Sequence, residues 1–501
     1  MNGIAIQPLG MDDRPRLISF LESIDSDFPI SLSSKVDLSV YVNKLASFGV
    51  IISACIDDVI LGVAAGYAND HSRRVAFLSV LGVGTDSRGA GIGSRLVAEF
   101  EKQALLMGMD AVSLTTHFNN TAARSLYSRL GYRTDGMIDS MGNLQYSKKM
   151  KWLTKERPNV LLSSAGRRTY LVNWFRNALK GEGEVHASNS DGSSTSLRAA
   201  DHGVVTPLIY SDEYISFMLN YCERNKIGAI IPLFDIDVPI LAENRKKFES
   251  IGCFPVVGSA EFARICSDKV ETCRFLRDAG VPCLPTYVGR DGYLRAVERG
   301  NASYPAFIKP RWGMGSIGLA EATNDSELKV LCGIVERKIA NSYLRFESSL
   351  ADPASGVVVQ EKVEAFEYGM DIYCDLTGTY QGCVVRRKIA MRAGETDIAE
   401  VLKPDERFER LARLLARASH HIGCMDVDLF DIDGNLVVLE MNARFGGGYP
   451  FSHASGVDMP GALVSWLRGV DPDPRMLAVK RPGTYMKDMV IVKSDNRIVE
   501  Y

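Results

Sequence analysis

Between Met425 and Gly448 the chain reads MDVDLFDIDGNLVVLEMNARFGGG, and no other stretch restricts the fold so strongly. Two strand-like runs meet at Asp433-Gly434, a dipeptide that favours a tight hairpin turn. Antiparallel strands joined there bring Asp428, Glu440 and Asn442 to one point. Three oxygen donors at one point suit a hard cation, and so small a set fits Mg²⁺ held jointly with substrate phosphates better than an all-protein cage. Arg444 lies two residues beyond Asn442 on the same face of an extended chain, where its fork of N–H donors can hold an anion beside the metal. Taken alone, the hairpin is explained as simply by a solvated acidic face; the residues upstream decide between the two readings.

A chain of 501 residues is too long for one ordinary core and is expected to hold about two to four domains. Its 46% apolar and 24% charged residues and its net charge of -3 describe a soluble globular protein. They give no general bias toward nucleic acid or membrane, so the expected partners are small molecules. The ten cysteines are scattered without a C-x-x-C pair, which suits free thiols in a reducing cytosol better than a disulfide framework. The opening MNGIAIQPLGMDD is not a signal peptide, and the longest apolar run, around Val50 to Ala68, is broken by Asp57 and Asp58. The expected location is cytoplasmic, with a homo-oligomer left open.

Residues 1–152 read as one domain. Ile4–Leu9 alternates like a strand, Arg14–Ile24 and Lys35–Phe48 are helical in period, and Val50–Ile56 with Val59–Tyr67 forms a hairpin turning at Asp57-Asp58. The strand VAFLSVLGV then enters a glycine-rich turn and an amphipathic helix ending near Gly108. Arg88, Gly89, Gly91, Gly93 and Ser94 open that helix. Its N-terminal amides and dipole suit a pyrophosphate, and glycines permit close approach, although a plain turn is the alternative. The strand Ala111–Thr116 and a capped helix within NNTAARSLYSRLGYRTDG follow.

SRGAGIGSRL and NNTAARSLYSRLGY together make residues 1–152 resemble the GNAT superfamily of acetyl-CoA-dependent N-acetyltransferases. The resemblance implies that Leu81 to Val83 contact the pantetheine arm and that Arg88–Ser94 hold the CoA pyrophosphate. It also implies that Tyr127 protonates the leaving thiolate; the alternative is a tyrosine packed against the sheet. Water, Glu22, Asp25 and His117 all stay open as the base.

KWLTKERP carries a linker, residues 153–158. Beyond it NVLLSSAGRR is a strand entering a polar turn, Tyr170–Leu179 is a helix, and strands at Glu184–Ala187, Gly203–Val205 and Ala229–Ile231 alternate with helices, implying a mostly parallel sheet. Asp235 and Asp237 end the strand GAIIPLFDID, either at a ligand-binding strand end or as caps of the next helix. Downstream, Lys269 follows Asp268, and Lys309 ends a strand before a loop with Gly313, Gly315, Ser316 and Gly318. Such a loop can cover a triphosphate while a lysine supplies a point charge; no G-K-[ST] follows, so it is not a Walker loop. VVVQEKVEAFEYGMD gives a strand, an acidic turn and a second strand. VVRRKI places Arg386, Arg387 and Lys388 on another, where charge facing solvent is ordinary and contact with phosphate is an alternative.

Lysine, lysine with glycine loop, Gln-Glu hinge, basic strand and acidic hairpin, in that order, resemble the ATP-grasp superfamily over about residues 158–475, with carbamoyl-phosphate synthase and biotin carboxylase-like carboxylate-amine ligases as the nearest likeness. The resemblance implies that Lys269 and Lys309 contact ATP phosphates beneath the glycine loop. Gln360, Glu361, Lys362 and Val363 then hold adenine through backbone groups, and Glu367 contacts the ribose. Asp428, Glu440 and Asn442 take two Mg²⁺ ions and Arg444 steadies an acyl phosphate. Asp428 stands where many relatives carry glutamate. The implied fold class is α/β and α+β multidomain: a GNAT mixed-sheet domain (1–152), an α/β pre-ATP-grasp domain (159–262), an ATP-grasp fold (263–475) and C-terminal strands (476–501) packed on the ligase part.

The implied activity is bifunctional: N-acetyl transfer from acetyl-CoA, and ATP-dependent joining of a small-molecule carboxylate to an amine with ADP and phosphate as products. A carboxylate attacking a γ-phosphate brings anions together, so the site must neutralise charge and align oxygens rather than provide a nucleophile. Carboxyl- or carbamoyl-phosphate chemistry without an amide product, and an ATP-sensing module attached to a protein acetyltransferase, are the alternatives. A sensor need not keep Lys309, Glu440, Asn442 and Arg444.

Overall fold

In a computed structural model, which describes residues 4–313, 318–342, 356–392, 394–489 and 498–499, the chain divides at Lys151 into units Met1–Lys151 and Trp152–Tyr501. The first unit is one mixed sheet of six strands in sequence order: β1 (Ala5–Pro8), β2 (Val50–Ile56), β3 (Val59–Tyr67), β4 (Val75–Val83), β5 (Ala111–His117) and β6 (Asn143–Lys149). All neighbours are antiparallel except β4 and β5. That parallel pairing runs only from Val75↔Ala111 to Leu78↔Leu114, so beyond Leu78 the two strands part. Leu81–Val83 keep their partners on β3 alone. Helix Ile92–Leu106 packs Leu96, Val97 and Phe100 on one face of the sheet, and helices Arg14–Ser23 and Leu38–Phe48 cover the other.

The second unit begins with a parallel sheet, β7 (Asn159–Ser163), β8 (Val185–Asn189), β9 (His202–Val205), β10 (Ile227–Pro232) and β11 (Phe254–Pro255), ordered β11-β10-β7-β8-β9. Every residue of β7 and β10 is buried, as expected of parallel strands with helices on both faces. Next come β12 (Tyr287–Val288), β13 (Ala306–Pro310), β14 (Ala320–Ala322) and β15 (Val357–Glu361), an antiparallel sheet covered by helices Gly289–Glu298 and Asp325–Ala340. A larger antiparallel sheet follows: β16 (Phe366–Cys374), β17 (Tyr380–Arg392), β18 (Glu395–Leu402), β19 (Gly423–Ile432), β20 (Asn435–Asn442) and β21 (Gly483–Met486), ordered β20-β19-β16-β17-β18-β21. The short β22 (Ile498–Val499) pairs with β9. The β19–β20 turn has both Asp433 (φ 49°) and Gly434 (φ 86°) in the left-handed region that a two-residue hairpin requires.

The stretch expected as a linker is anchored at its start, while Lys155 and Glu156 are exposed. Trp152 and Leu153 are buried, both donate their N–H to Leu467 O, and Trp152 lies against Phe254. The apolar pair inside a charged octapeptide is what ties it down. None of the ten cysteines forms a disulfide. Among the described residues no helix is long and apolar enough to cross a membrane.

Candidate active sites

Register explains why one face of the β16–β21 sheet gathers charged side chains. Asp428 pairs with Glu440 and Asp426 with Asn442 across β19–β20; Gly369 pairs with Asp428 and Asp371 with Asp426 across β16–β19. Glu367 and Gly369 on β16 stand opposite Lys388 and Arg386 on β17 by the same register. Because strand side chains alternate, these groups share one face, while Met370, Ile372, Val385, Val427 and Met441 bury the other in the core. Pairing then shifts from Asp428↔Glu440 to Leu429↔Val438, leaving Leu439 as a bulge that lines the site beside Glu440.

This face and the β12–β15 sheet bound a cleft of about 500 Å³, the size of a small-molecule site. Lys269, Lys309, Lys388, Asp428 and Glu440 line it together with Glu367, and Gln360, Glu361 and Val363 line it from the strand end; Leu284, Phe307, Phe430 and Leu439 supply apolar wall. Lys269 is placed by a helix whose N-cap, Asp268, accepts from the amides of Val270 and Glu271 and is clamped by Arg311 at 2.7 Å. Its ammonium donates to Gly313 O at 2.8 Å. Lys309 is half-buried in the cleft wall, and chiefly because of this desolvation its pKa falls to about 8; Glu440 opposes the fall and Lys269 reinforces it. Lys388 bridges Glu367 at 2.6 Å and Asp428 at 2.8 Å. Burial disfavours its charge, but Asp428 and then Glu367 outweigh burial and raise its pKa.

Several expected site residues sit elsewhere or are already engaged. Lys362 points out of the cleft to Glu321 at 2.8 Å, and its N–H donates to Pro305 O. Strand alternation turns it away while Glu361 and Val363 face in. Arg386 turns inward to Asp371, Ser452 and Asp426, and Arg387 pairs with Glu400 at 2.6 Å, so Lys388 alone of the basic trio faces the cleft. Gly446 packs so tightly that a Cβ there would lie 2.2 Å from Asp426 Cγ, which explains a glycine directly after the hairpin. Asn442 is buried and does not line the cleft.

Arg444 is buried and bound twice to Asp235, at 2.8 and 3.1 Å, rather than lying open beside a metal. Asp235 is thus an arginine partner, and Asp237, the first residue of helix Asp237–Glu243, is a buried acceptor for Ser163, Ser164 and Tyr214. Arg168, from the polar turn after β7, reaches the carbonyls of Leu233 and Phe445 and comes near enough to Arg444 that the two charges oppose each other. Sequence patterning had no means of joining residues this far apart. Gln360 donates to Thr286 at 2.7 Å while its side-chain oxygen is buried without a partner. Gly318 lies at the edge of the described loop; Gly315 and Ser316 lie outside the described residues.

In the first unit, Gly89 (φ 79°) and Gly91 (φ 75°) make a left-handed turn into helix Ile92–Leu106, with open space where each Cβ would stand. The helix's first amides, from Ile92 through Gly93 and Ser94, therefore open beside the gap where β4 leaves β5. Arg88 does not face that opening freely: it pairs with Asp27 at 2.5 Å and donates to Val83 O at 3.0 Å. Tyr127, one residue after Leu126, whose side chain touches Gly93, is buried against Tyr132 and Tyr146, and burial raises its hydroxyl pKa.

Family comparisons agree with this architecture. Residues 18–132 match the acetyltransferase (GNAT) family, residues 160–257 the PylC-like N-terminal domain, and residues 354–487 the ATP-grasp described from the biosynthetic pathway with the Ter operon. Similar curated proteins include acetyl-CoA carboxylase 1 of Arabidopsis thaliana, 26% identical over 37% of this chain, and the carbamoyl phosphate synthase large chain of Agathobacter rectalis, 24% identical over 36%. The matched regions span 8% and 17% of the length of those two relatives. Among solved structures, carboxyaminoimidazole ribonucleotide synthase of Aspergillus clavatus in complex with ATP shares the fold over 66% of this chain and 82% of its own, at TM-score 0.52 and 12% identity. The biotin carboxylase of Campylobacter jejuni does so over 65% and 74%, at TM-score 0.50 and 19% identity. The chain carries a GNAT acetyltransferase domain followed by a PylC-like N-terminal domain and an ATP-grasp domain. Both the first and the last belong to enzyme families.

Proposed function

We propose that the second unit is an ADP-forming carboxylate-amine ligase and that the first transfers acetyl from acetyl-CoA to an amine. The observation carrying the ligase reading is a single cleft in which Lys269, Lys309 and Lys388 face Asp428 and Glu440, with an apolar wall beyond them. In this reading the apolar wall takes adenine and Gln360, Glu361 and Val363 supply its polar rim. Lys362 contributes through its backbone, and Glu367 meets the ribose. Lys269 and Lys309 meet the phosphates, with Gly313, whose carbonyl accepts from the Lys269 ammonium, beside them.

The donor set fits Mg²⁺: Asp428 and Glu440 are register partners whose carboxylates enter the same cleft. Asp428 and Glu440 would hold the metal, Asn442 standing two residues on; two ions are proposed. When bound, Mg²⁺ neutralises triphosphate charge and aligns the γ-phosphate. The chain's own part is electrostatic. Lysines balance the approach of a carboxylate to phosphorus, and the positive charge of Arg444, held by Asp235, is assigned to steadying the acyl phosphate. An amine then displaces phosphate from the activated acyl group. In the acetyltransferase, Leu81–Val83 hold the pantetheine arm in the gap between β4 and β5, Arg88 shapes the turn through Asp27, and Gly89–Ser94 amides hold the pyrophosphate. Tyr127 stays protonated and can return a proton to the departing thiolate.

The similarity to a biotin carboxylase fold and to acetyl-CoA carboxylases favours one second reading, in which the carboxylate is bicarbonate and no amide forms. An ADP-release screen of carboxylates, each with and without amines and with bicarbonate as a separate arm, tests the proposal. ADP formation that requires both an organic carboxylate and an amine is expected. Turnover with bicarbonate alone selects the second reading, and tight nucleotide binding without turnover across the screen contradicts both.

A further inference from the structure

At the amino ends of β8 and β9, away from the cleft, three ligand-type side chains converge. Glu184, which directly precedes β8, and His186 on it are two residues apart in extended chain, so their side chains share a face. His202 is the register partner of His186 on the adjacent parallel strand, and the two rings stack with centroids 4.6 Å apart. One ligand atom from each of the three lies within 4.8 Å of the others. His186 is only 1% exposed, and its Nε2 is buried without a hydrogen-bond partner, a costly arrangement for a ring nitrogen. Its other nitrogen, Nδ1, is 2.8 Å from Tyr221 OH. If the Nδ1 proton is donated to that hydroxyl, Nε2 keeps its lone pair free for a ligand bond. A metal-bound histidine is held in just this way, by a hydrogen bond from its second nitrogen.

We propose that Glu184, His186 and His202 bind a divalent transition ion of the Zn²⁺ class. His202 Nε2 and Glu184 Oε2 are already 3.1 Å apart, and zinc bonds of about 2.0–2.2 Å place neighbouring tetrahedral ligand atoms roughly 3.3 Å apart. Two imidazoles and a carboxylate suit Zn²⁺, Ni²⁺ or Cu²⁺, whereas Mg²⁺ prefers oxygen throughout, so this site and the cleft call for different metals. Glu184 and His202 are exposed, which gives the ion a path in and leaves a fourth position to water.

Equilibrium dialysis of the chelator-stripped full chain against Zn²⁺, repeated with Co²⁺ for its visible absorption, tests the assignment. Glu184→Gln and His202→Asn alter exposed side chains and so keep the sheet. The wild type is expected to bind one Zn²⁺ equivalent that each variant binds at least tenfold more weakly, and to give Co²⁺ bands of a low-coordinate site that both variants lose. A wild type that takes up no Zn²⁺, or either variant retaining wild-type affinity, overturns the assignment; the latter would place the ion on thiols or in the nucleotide cleft.

Discussion

Lys309 should take up a proton when MgATP enters the cleft. In the free protein burial brings its pKa to about 8 from 10.5. A triphosphate beside it favours the charged form and restores the pKa to about its ordinary 10.4 or higher. At pH 8 the free lysine is half protonated, so binding should draw in about 0.5 proton; at pH 9 the figure rises to about 0.9 and at pH 7 it falls to about 0.1. Phosphate itself is fully ionised at pH 8 to 9 and adds nothing. The same shift is a stability statement. Between pH 8 and 10.5 the unfolded chain binds more protons than the folded one, so stability rises with pH across that window. Below pH 8 the buried charge costs up to about 3 kcal/mol. Calorimetric titrations of MgATP at pH 8 and pH 9 in buffers of different ionisation enthalpy measure the uptake directly. Lys309→Met should abolish it. No buffer dependence at pH 9, or the same dependence in Lys309→Met, would refute the placement of Lys309 against the phosphates.

Arg444→Met takes the arginine partner from half-buried Asp235 and should cost about 3 kcal/mol in denaturant unfolding, with Asp235→Asn in the same chain recovering part of it; a loss below about 1 kcal/mol, roughly the size of an exposed pair, would show that the pair is not structural. Glu440→Gln should slow ADP formation on the order of a hundredfold while acetyl transfer is untouched, and a fully active variant removes Glu440 from the metal site. Gly91→Asp should abolish acetyl-CoA binding, because a carboxylate would stand where the phosphates go; retained calorimetric binding counts against the pyrophosphate site. Tyr127→Phe should bind acetyl-CoA normally but transfer acetyl on the order of a hundredfold or more slowly, and unchanged turnover with chemistry rate-limiting leaves Tyr127 a core residue only.

How much of this was legible beforehand depends on how local the signal was. The Asp433-Gly434 turn was legible, but an unbroken ladder from it would pair Asp428 with Leu439; the bulge at Leu439 is what brings Asp428 opposite Glu440. Lys309 was found from a strand ending in a glycine-rich loop, and the opening beside Gly91 from a similar strand-to-helix turn. What was missed is long-range or a break in period. The partnership of Arg444 with Asp235 spans more than two hundred positions. Nothing in the sequence marked the bulge at Leu439, and nothing marked the pairing that holds the Lys362 side chain on Glu321. Trp152 and Leu153 were hidden as core residues by charged neighbours, and Glu184, His186 and His202 meet only through the β8–β9 register.

The central claim is that a carboxylate oxygen attacks the γ-phosphorus of ATP in the cleft of Lys309 and Glu440. With the carboxylate substrate labelled with ¹⁸O, that attack must leave one labelled oxygen in the released inorganic phosphate when the amine displaces it, with ADP formed in equal amount. Mass spectrometry of the phosphate is expected to show this transfer, amine-dependent and slowed together with ADP release in Glu440→Gln. Label recovered in AMP, with pyrophosphate as the co-product, would contradict the account.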